Sequence, residues 1–166
     1  MSKRKSLENI RYNKSIQKRI NIDINNYREY SEKYSSIEIE IISIKNKYGK
    51  FINIEKEDKK YYHIYFNDNK EKEIKRKSLN KNDNVSKINI IIEHQIKSFS
   101  ELFKYCKSIK SINFKKFYRN NITDMHSMFD GCSSLKDVNL NNFNTNNVTY
   151  MFSLVIRPLA SPDARA

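Results

Sequence analysis

Three histidines, two cysteines and a set of alternating carboxylates are the residues in this chain that could carry chemistry. His63, His94 and His126 lie far apart and share no motif. No H-x-x-x-H spacing is present, and no acid stands at ligand spacing beside any of them in the sequence, so a metal or acid-base role is not expected. Cys106 and Cys132 are the only cysteines. They form neither a C-x-x-C knuckle nor a disulfide framework, and they are expected to be reduced, small and buried. Glu38, Glu40 and Glu55 sit on alternating positions and read as a solvated strand face. With only two glycines in the chain, a phosphate-cradling loop is almost excluded, and no G-x-S-x-G nucleophile elbow occurs. Asn84, Asn121 and Asn147 head formal glycosylation sequons, which an Asn-rich chain acquires by accident. No enzyme is expected from this inventory, and no cofactor and no metal.

Composition sets the partners such a chain would favour. The 166 residues carry a formal net charge of +13, with 31% charged and 38% hydrophobic residues. A basic chain favours acidic partners, yet a bias towards Lys, Asn and Ile is also what an AT-rich genome produces. The first residues, MSKRKSLENIRYNKS, have no apolar h-region, and no stretch approaches the ~18 apolar residues of a membrane span. A cytoplasmic location without a transmembrane segment is the expectation.

Four segments must position whatever site exists. Residues 1–35 form a basic arm, either two short helices or disordered: Leu7 and Ile10, Ile16 and Ile20, and Tyr27, Tyr30 and Tyr34 have helical spacing. Residues 36–84 form a small β-rich region. Ile37, Ile39 and Ile41 alternate with polar residues, Tyr48-Gly49-Lys50 is a turn from which Phe51–Ile54 returns as a strand, and residues 61–66 are a third, aromatic strand. The charged run 70–77 is a solvated edge or loop, or else a localisation patch. Residues 157–166 belong to an aberrant tail: the stretch from Ser153 onward holds every alanine and proline of the chain and no Lys or Asn, as a frameshift or a cloning scar would.

Between them, residues 85–156 repeat. A shift of 26 residues carries Ile96 onto Ile122 and Val148, Phe103 onto Phe129, Cys106 onto Cys132, and Phe117 onto Phe143. Each unit contains an L-x-x-L-x-L-x-x-F core, Ile109-x-x-Ile112-x-Phe114-x-x-Phe117 and Leu135-x-x-Val138-x-Leu140-x-x-Phe143. A strand alternates faces, so Ile112, Phe114, Val138 and Leu140 point inward. Ser111, Asn113, Lys115, Asp137, Asn139 and Asn141 then point outward and form the candidate partner-binding face. The apolar residues Ile122, Met125, Met128 and Phe129 have helical spacing, with Thr123 or Asp124 as cap and Gly131 as terminator; Ser98 to Glu101 reads as the equivalent cap one unit earlier. Val85-x-x-Ile88-x-Ile90 reads as an atypical first unit. The fold expected is an α/β leucine-rich-repeat solenoid, one strand and one short helix per unit, behind the β-rich region and the basic arm.

The stretch NITDMHSMFDGCSSLKDVNLNNFNTNNVTYMF, residues 121–152, resembles the BspA-type leucine-rich repeats of bacterial surface proteins, which are greatly expanded in some protists. Asn121, Thr123, Met125, Met128, Phe129, Gly131, Cys132, Ser133, Ser134, Leu135, Leu140, Phe143 and Thr145 carry the likeness. The resemblance implies a truncated repeat array that binds other macromolecules, with no catalytic residues to transfer. The function expected is a non-catalytic protein-protein interaction module with an unidentified protein partner. The alternatives are binding of nucleic acid or an acidic membrane surface through residues 1–35 and 70–77, or a nonfunctional fragment of a longer repeat protein.

Overall fold

A computed structural model describes residues 13–151 except 20, 22, 142 and 144. Leu7, Ile10 and Ile20 of the arm, and the tail from residue 152 onward, lie outside the described residues. The described residues begin with two helices, α1 (Lys14–Arg19) and α2 (Ile24–Tyr34). Asp23 caps α2 by accepting from the Asn26 backbone N–H, while the Asn26 side chain accepts from the Asp23 N–H. The Tyr30 and Tyr34 rings meet along α2 with centroids 5.4 Å apart and planes tilted by 41°, and Tyr34 meets the His94 ring edge-on at 5.5 Å.

The strands are β1 (Ile37–Ser43), β2 (Gly49–Lys50), β3 (Tyr62–Phe66), β4 (Ser78–Leu79), β5 (Lys87–Ile92), β6 (Ile109–Lys116) and β7 (Asp137–Asn139). Five of them form one mixed sheet in the order β3-β5-β1-β6-β7, and β2 pairs with β4 separately. Among the described strands β6 and β7 alone pair in parallel, with Ile112 opposite Val138. Strand β1 is central and antiparallel to both neighbours: Ile39 faces Ile90 on one side and Phe114 on the other. Its burial alternates residue by residue, so Ile37, Ile39 and Ile41 enter the core while Glu38, Glu40 and Ile42 do not. The extensive contacts between elements are all strand against strand.

This architecture corrects the expected fold class. A strand-plus-helix solenoid would lay every repeat strand parallel to the next. Instead β5, the expected first unit, lies on the far side of β1 and antiparallel to it, and residues 37–66 contribute two strands to the same sheet as residues 87–139. The expected helices at 98–103 and 122–129 are chains of tight turns. Glu101, Tyr105 and Ser127 adopt left-handed backbone conformations, which end a right-handed helix within a turn. The apolar steps of three and four residues therefore come from successive turns. Ser98 and Asp124 cap those turns, accepting from the Ser100 and His126 N–H groups. The returning strand expected at 51–54 is buried irregular chain, held by Asn53, whose side chain donates to the Glu101 and Lys104 carbonyls.

The 26-residue spacing still has a physical meaning. Equivalent positions of the two units meet: the N–H groups of Phe99, Glu101, Phe103 and Tyr105 donate to the carbonyls of Asp124, His126, Met128 and Asp130. Phe103 stacks on Phe129 with ring centroids 5.8 Å apart and planes 2° from parallel. The core beneath the sheet is filled by Phe51, Ile52, Phe99, Phe103, Met125 and Met128, all fully buried. Gly131 has φ +66, and a Cβ built there would overlap the Tyr105 ring. Gly131→Ala is thus expected to lower stability by about 1–3 kcal/mol, through left-handed strain plus displacement of that ring. Adding Tyr105→Ala should return the steric part, measured as a non-additive double-mutant cycle in urea.

Candidate functional site

The outer face of the sheet is built in rows. One row crosses all five strands as Tyr65, Asn89, Glu40, Asn113 and Asn139. The next is Lys87, Ile42, Ser111 and Asp137. None of these side chains is buried, and most are half-exposed. Ser111 and Asn113 stand on β6 directly beside Asp137 and Asn139 on β7. Asn141 lies in the turn after β7, its N–H donating to Asn139 Oδ1 at 3.0 Å. Lys115 is displaced: the β1–β6 register shifts between Glu38 and Ile39, leaving it as an extra residue in the ladder. Its ammonium reaches back across the strand to Glu40 at 2.5 Å.

Glu40 is the electrostatic centre of this face. Burial works to raise its pKa, but the hydrogen bond and charge of Lys115, followed by those of Lys87 at 3.4 Å, hold the carboxyl below its usual value. Lys87 also pairs with Asp68 at 3.0 Å, and Lys116 with Glu38 at 3.4 Å. The face is therefore charge-balanced and rich in amides, a surface that can hydrogen-bond adaptably without strong net attraction.

Sequence reasoning missed His63. Its ring lies between Glu73 and Glu93, with Nδ1 3.1 Å from one carboxylate and Nε2 2.9 Å from the other. The residues are remote in sequence and meet only through the β3–β5 register and the loop after β3, so no local signal existed. The Glu93 hydrogen bond raises the His63 pKa; burial opposes it, and Glu73 adds to the rise. A folded-state value above the unfolded one means the ion pairs stabilise fully below about pH 6.5 and are lost as pH climbs through the raised value. His63→Gln should flatten the dependence of Tm on pH between about 5 and 8, with wild type gaining stability on the acid side of that window. A 13C-edited NMR titration of the His63 ring should give a midpoint above that of a model peptide.

His126 Nδ1 lies 2.8 Å from Ser100 Oγ, the equivalent residue one unit back. Cys106 is buried, and Cys132 donates its thiol to the Phe103 carbonyl. Burial pushes both thiols up, Cys132 to about 11 and Cys106 further. Among the described residues no group of three or more His, Cys, Asp or Glu could hold a metal ion, and no helix is long and apolar enough to cross a membrane.

Comparison with known proteins corrects the expected resemblance. No curated protein and no solved structure matches significantly. A family model matches over residues 70–157; it is described as Mycoplasma protein of unknown function, DUF285, and not as a BspA-type leucine-rich repeat. The match spans β4 to β7 and all of the 26-residue repetition, so the leucine-rich-repeat assignment falls with the solenoid. More than half of the chain is covered, and the protein belongs to the DUF285 family.

Proposed function

We propose that the protein is a non-catalytic module that binds a protein partner on the outer face of its five-stranded sheet, through Ser111, Asn113, Lys115, Asp137, Asn139 and Asn141. The observation that supports the reading is the row Tyr65-Asn89-Glu40-Asn113-Asn139: polar, not buried, and with its one charge, Glu40, balanced by Lys115 and Lys87 from beside the row. Amide and hydroxyl side chains on a rigid sheet offer donors and acceptors at fixed spacing, which suits recognition. Four gaps of ~4.8 Å by ~20 Å of strand give roughly 400 Å². That is about half of what one partner contributes to a standard interface, so the contact is weak and transient.

A benzophenone amino acid at position 113 or 139 of the full chain should give a discrete protein adduct in extract of the source cells, undiminished at high salt. The same group at Lys56, exposed in the loop before β3, should not. Equal labelling from position 56, or none from 113 and 139, would remove the reading.

A further inference from the structure

Among the described residues, a concentration of unbalanced positive charge lies outside the charged runs 1–35 and 70–77. Three segments converge at the end of the sheet where β6 and β7 begin. The Ile44 N–H donates to the Ser108 carbonyl at 2.9 Å, Ser108 Oγ donates to the Lys50 carbonyl at 2.9 Å, and the Lys136 N–H donates to the Lys110 carbonyl at 2.8 Å. Lys47 Nζ donates to Ser134 Oγ at 2.5 Å. Segments 44–50, 105–111 and 131–136 thereby bring together Lys45, Lys47, Lys50, Lys107, Lys110 and Lys136 and contain no Asp or Glu. All six lysines are exposed, and none forms an ion pair among the described residues. Asp130 and Asp137 flank the cluster without pairing to it.

Two features of the backbone aim this charge. Lys110 is the extra residue of a second register shift, between Ile42 and Ser43, and the irregularity turns it out of the inward-facing set to which strand parity would assign it. Lys110 and Lys136 occupy equivalent positions of the two units, so they lie side by side about 4.8 Å apart at the backbone.

Aromatic residues interleave with the lysines. Lys47-Tyr48-Gly49-Lys50 and Lys104-Tyr105-Cys106-Lys107 share one K-Y-x-K pattern. Tyr48 is 39% exposed and Tyr105 60% exposed. The Tyr105 ring sits over Gly131, three residues from the Ser134 that Lys47 reaches. Lys104 pairs with Glu101 at 2.5 Å and lies 5.6 Å from the Tyr105 ring centroid, so the unpaired ammonium groups beside the two rings are those of Lys47, Lys50 and Lys107. Exposed rings beside such groups provide stacking surfaces next to phosphate-binding charges, the combination that single-stranded nucleic acid uses. An acidic membrane surface would need apolar side chains to insert, and the exposed large hydrophobic side chains other than these tyrosines lie elsewhere, at Ile16, Ile24, Tyr118, Tyr150 and Met151.

We infer that this end of the sheet binds single-stranded nucleic acid, with the lysines on successive phosphates and Tyr48 and Tyr105 stacked on bases. The test is fluorescence anisotropy of the full chain with a labelled 15-nucleotide oligo-dT, a 15-base-pair duplex, and vesicles of equal phosphatidylcholine and phosphatidylglycerol. Engagement of about four phosphates predicts that affinity for oligo-dT falls roughly fifty-fold between 50 and 200 mM salt. Lys47→Ser/Lys110→Ser/Lys136→Ser should weaken binding at least tenfold. Lys56→Ser/Lys59→Ser/Lys70→Ser removes equal charge elsewhere and should change it little. Tyr48→Ala, on an exposed turn, should weaken oligo-dT several-fold and leave duplex binding unmoved. Equal losses in the two lysine triples would reduce the effect to net charge and overturn the assignment. So would no measurable binding, or vesicle binding without preference for the single strand. Thermal unfolding of each variant separates lost binding from lost fold.

Discussion

Arg119→Ala is expected to lower the unfolding free energy by about 3–5 kcal/mol, on the scale of a large core truncation. Arg119 is fully buried, and its guanidinium donates to the carbonyls of Glu93 at 2.9 Å and Ile96 at 3.2 Å. Its Nε and Nη2 have no hydrogen-bond partner, and burial pulls the guanidinium pKa down to about 10. A group that fills volume yet carries an unpaired charge exerts two opposite effects: the packing stabilises, while keeping the charge in the interior costs about 3 kcal/mol. Arg119→Met separates them. It retains most of the volume, removes the charge, and sacrifices two donated bonds worth about 1 kcal/mol each. Its stability should lie within about 1 kcal/mol of wild type. Chemical denaturation with an unchanged m-value decides the point. If Met proves as damaging as Ala, packing is not what holds Arg119 in place.

The second large effect is expected at Phe114, where the first repeat unit meets the second. Phe114 is fully buried on β6 and faces Ile39 of β1 across the sheet. Its ring meets Phe143 edge-on at 4.7 Å, and Phe117 meets the same ring at 4.7 Å. Phe114→Ala removes a transfer contribution and leaves a cavity bounded by a sheet that cannot collapse, for a loss of about 3–5 kcal/mol. In a domain of ordinary stability, 5–15 kcal/mol, that leaves a substantial unfolded fraction on warming. Phe114→Leu should cost markedly less. Tyr118→Ala, at a 52% exposed ring four residues on, should cost under about 0.5 kcal/mol. A Phe114→Ala loss below 1 kcal/mol would mean that the ring is not enclosed.

What the sequence made legible was periodic and local. Ile37, Ile39 and Ile41 announce β1, residues 61–66 announce β3, and the alternation around Ile112 and Val138 assigns an inner and an outer face to β6 and β7. The repetition at 26 residues foretells that Phe103 and Phe129, or Ser100 and His126, touch. Neighbour relations among distant strands were not legible. β1 meets β5 and β6 across about fifty to seventy residues of chain, and no local pattern encodes which of several alternating strands lies beside it. The turn regions were misread because Met and Phe at steps of three and four fit a helix equally well, and left-handed Glu101, Tyr105 and Ser127 have no side-chain signature. His63 between two glutamates and the convergence of six lysines both depend on those long-range pairings. The charged runs at 1–35 and 70–77 are visible as composition, whereas the six lysines of segments 44–50, 105–111 and 131–136 are scattered in sequence and gather only in the fold.

The outer polar face exists only because β1 lies between β5 and β6 in a single mixed sheet. Cross-strand NOEs in a uniformly labelled sample test this most directly. Contacts of Glu40 with both Asn89 and Asn113, together with a contact between Ile112 and Val138, are the expected result. A direct contact between Ile88 and Ile112 on adjacent parallel strands, with none from Glu40 to either asparagine, would contradict the sheet and the face built on it.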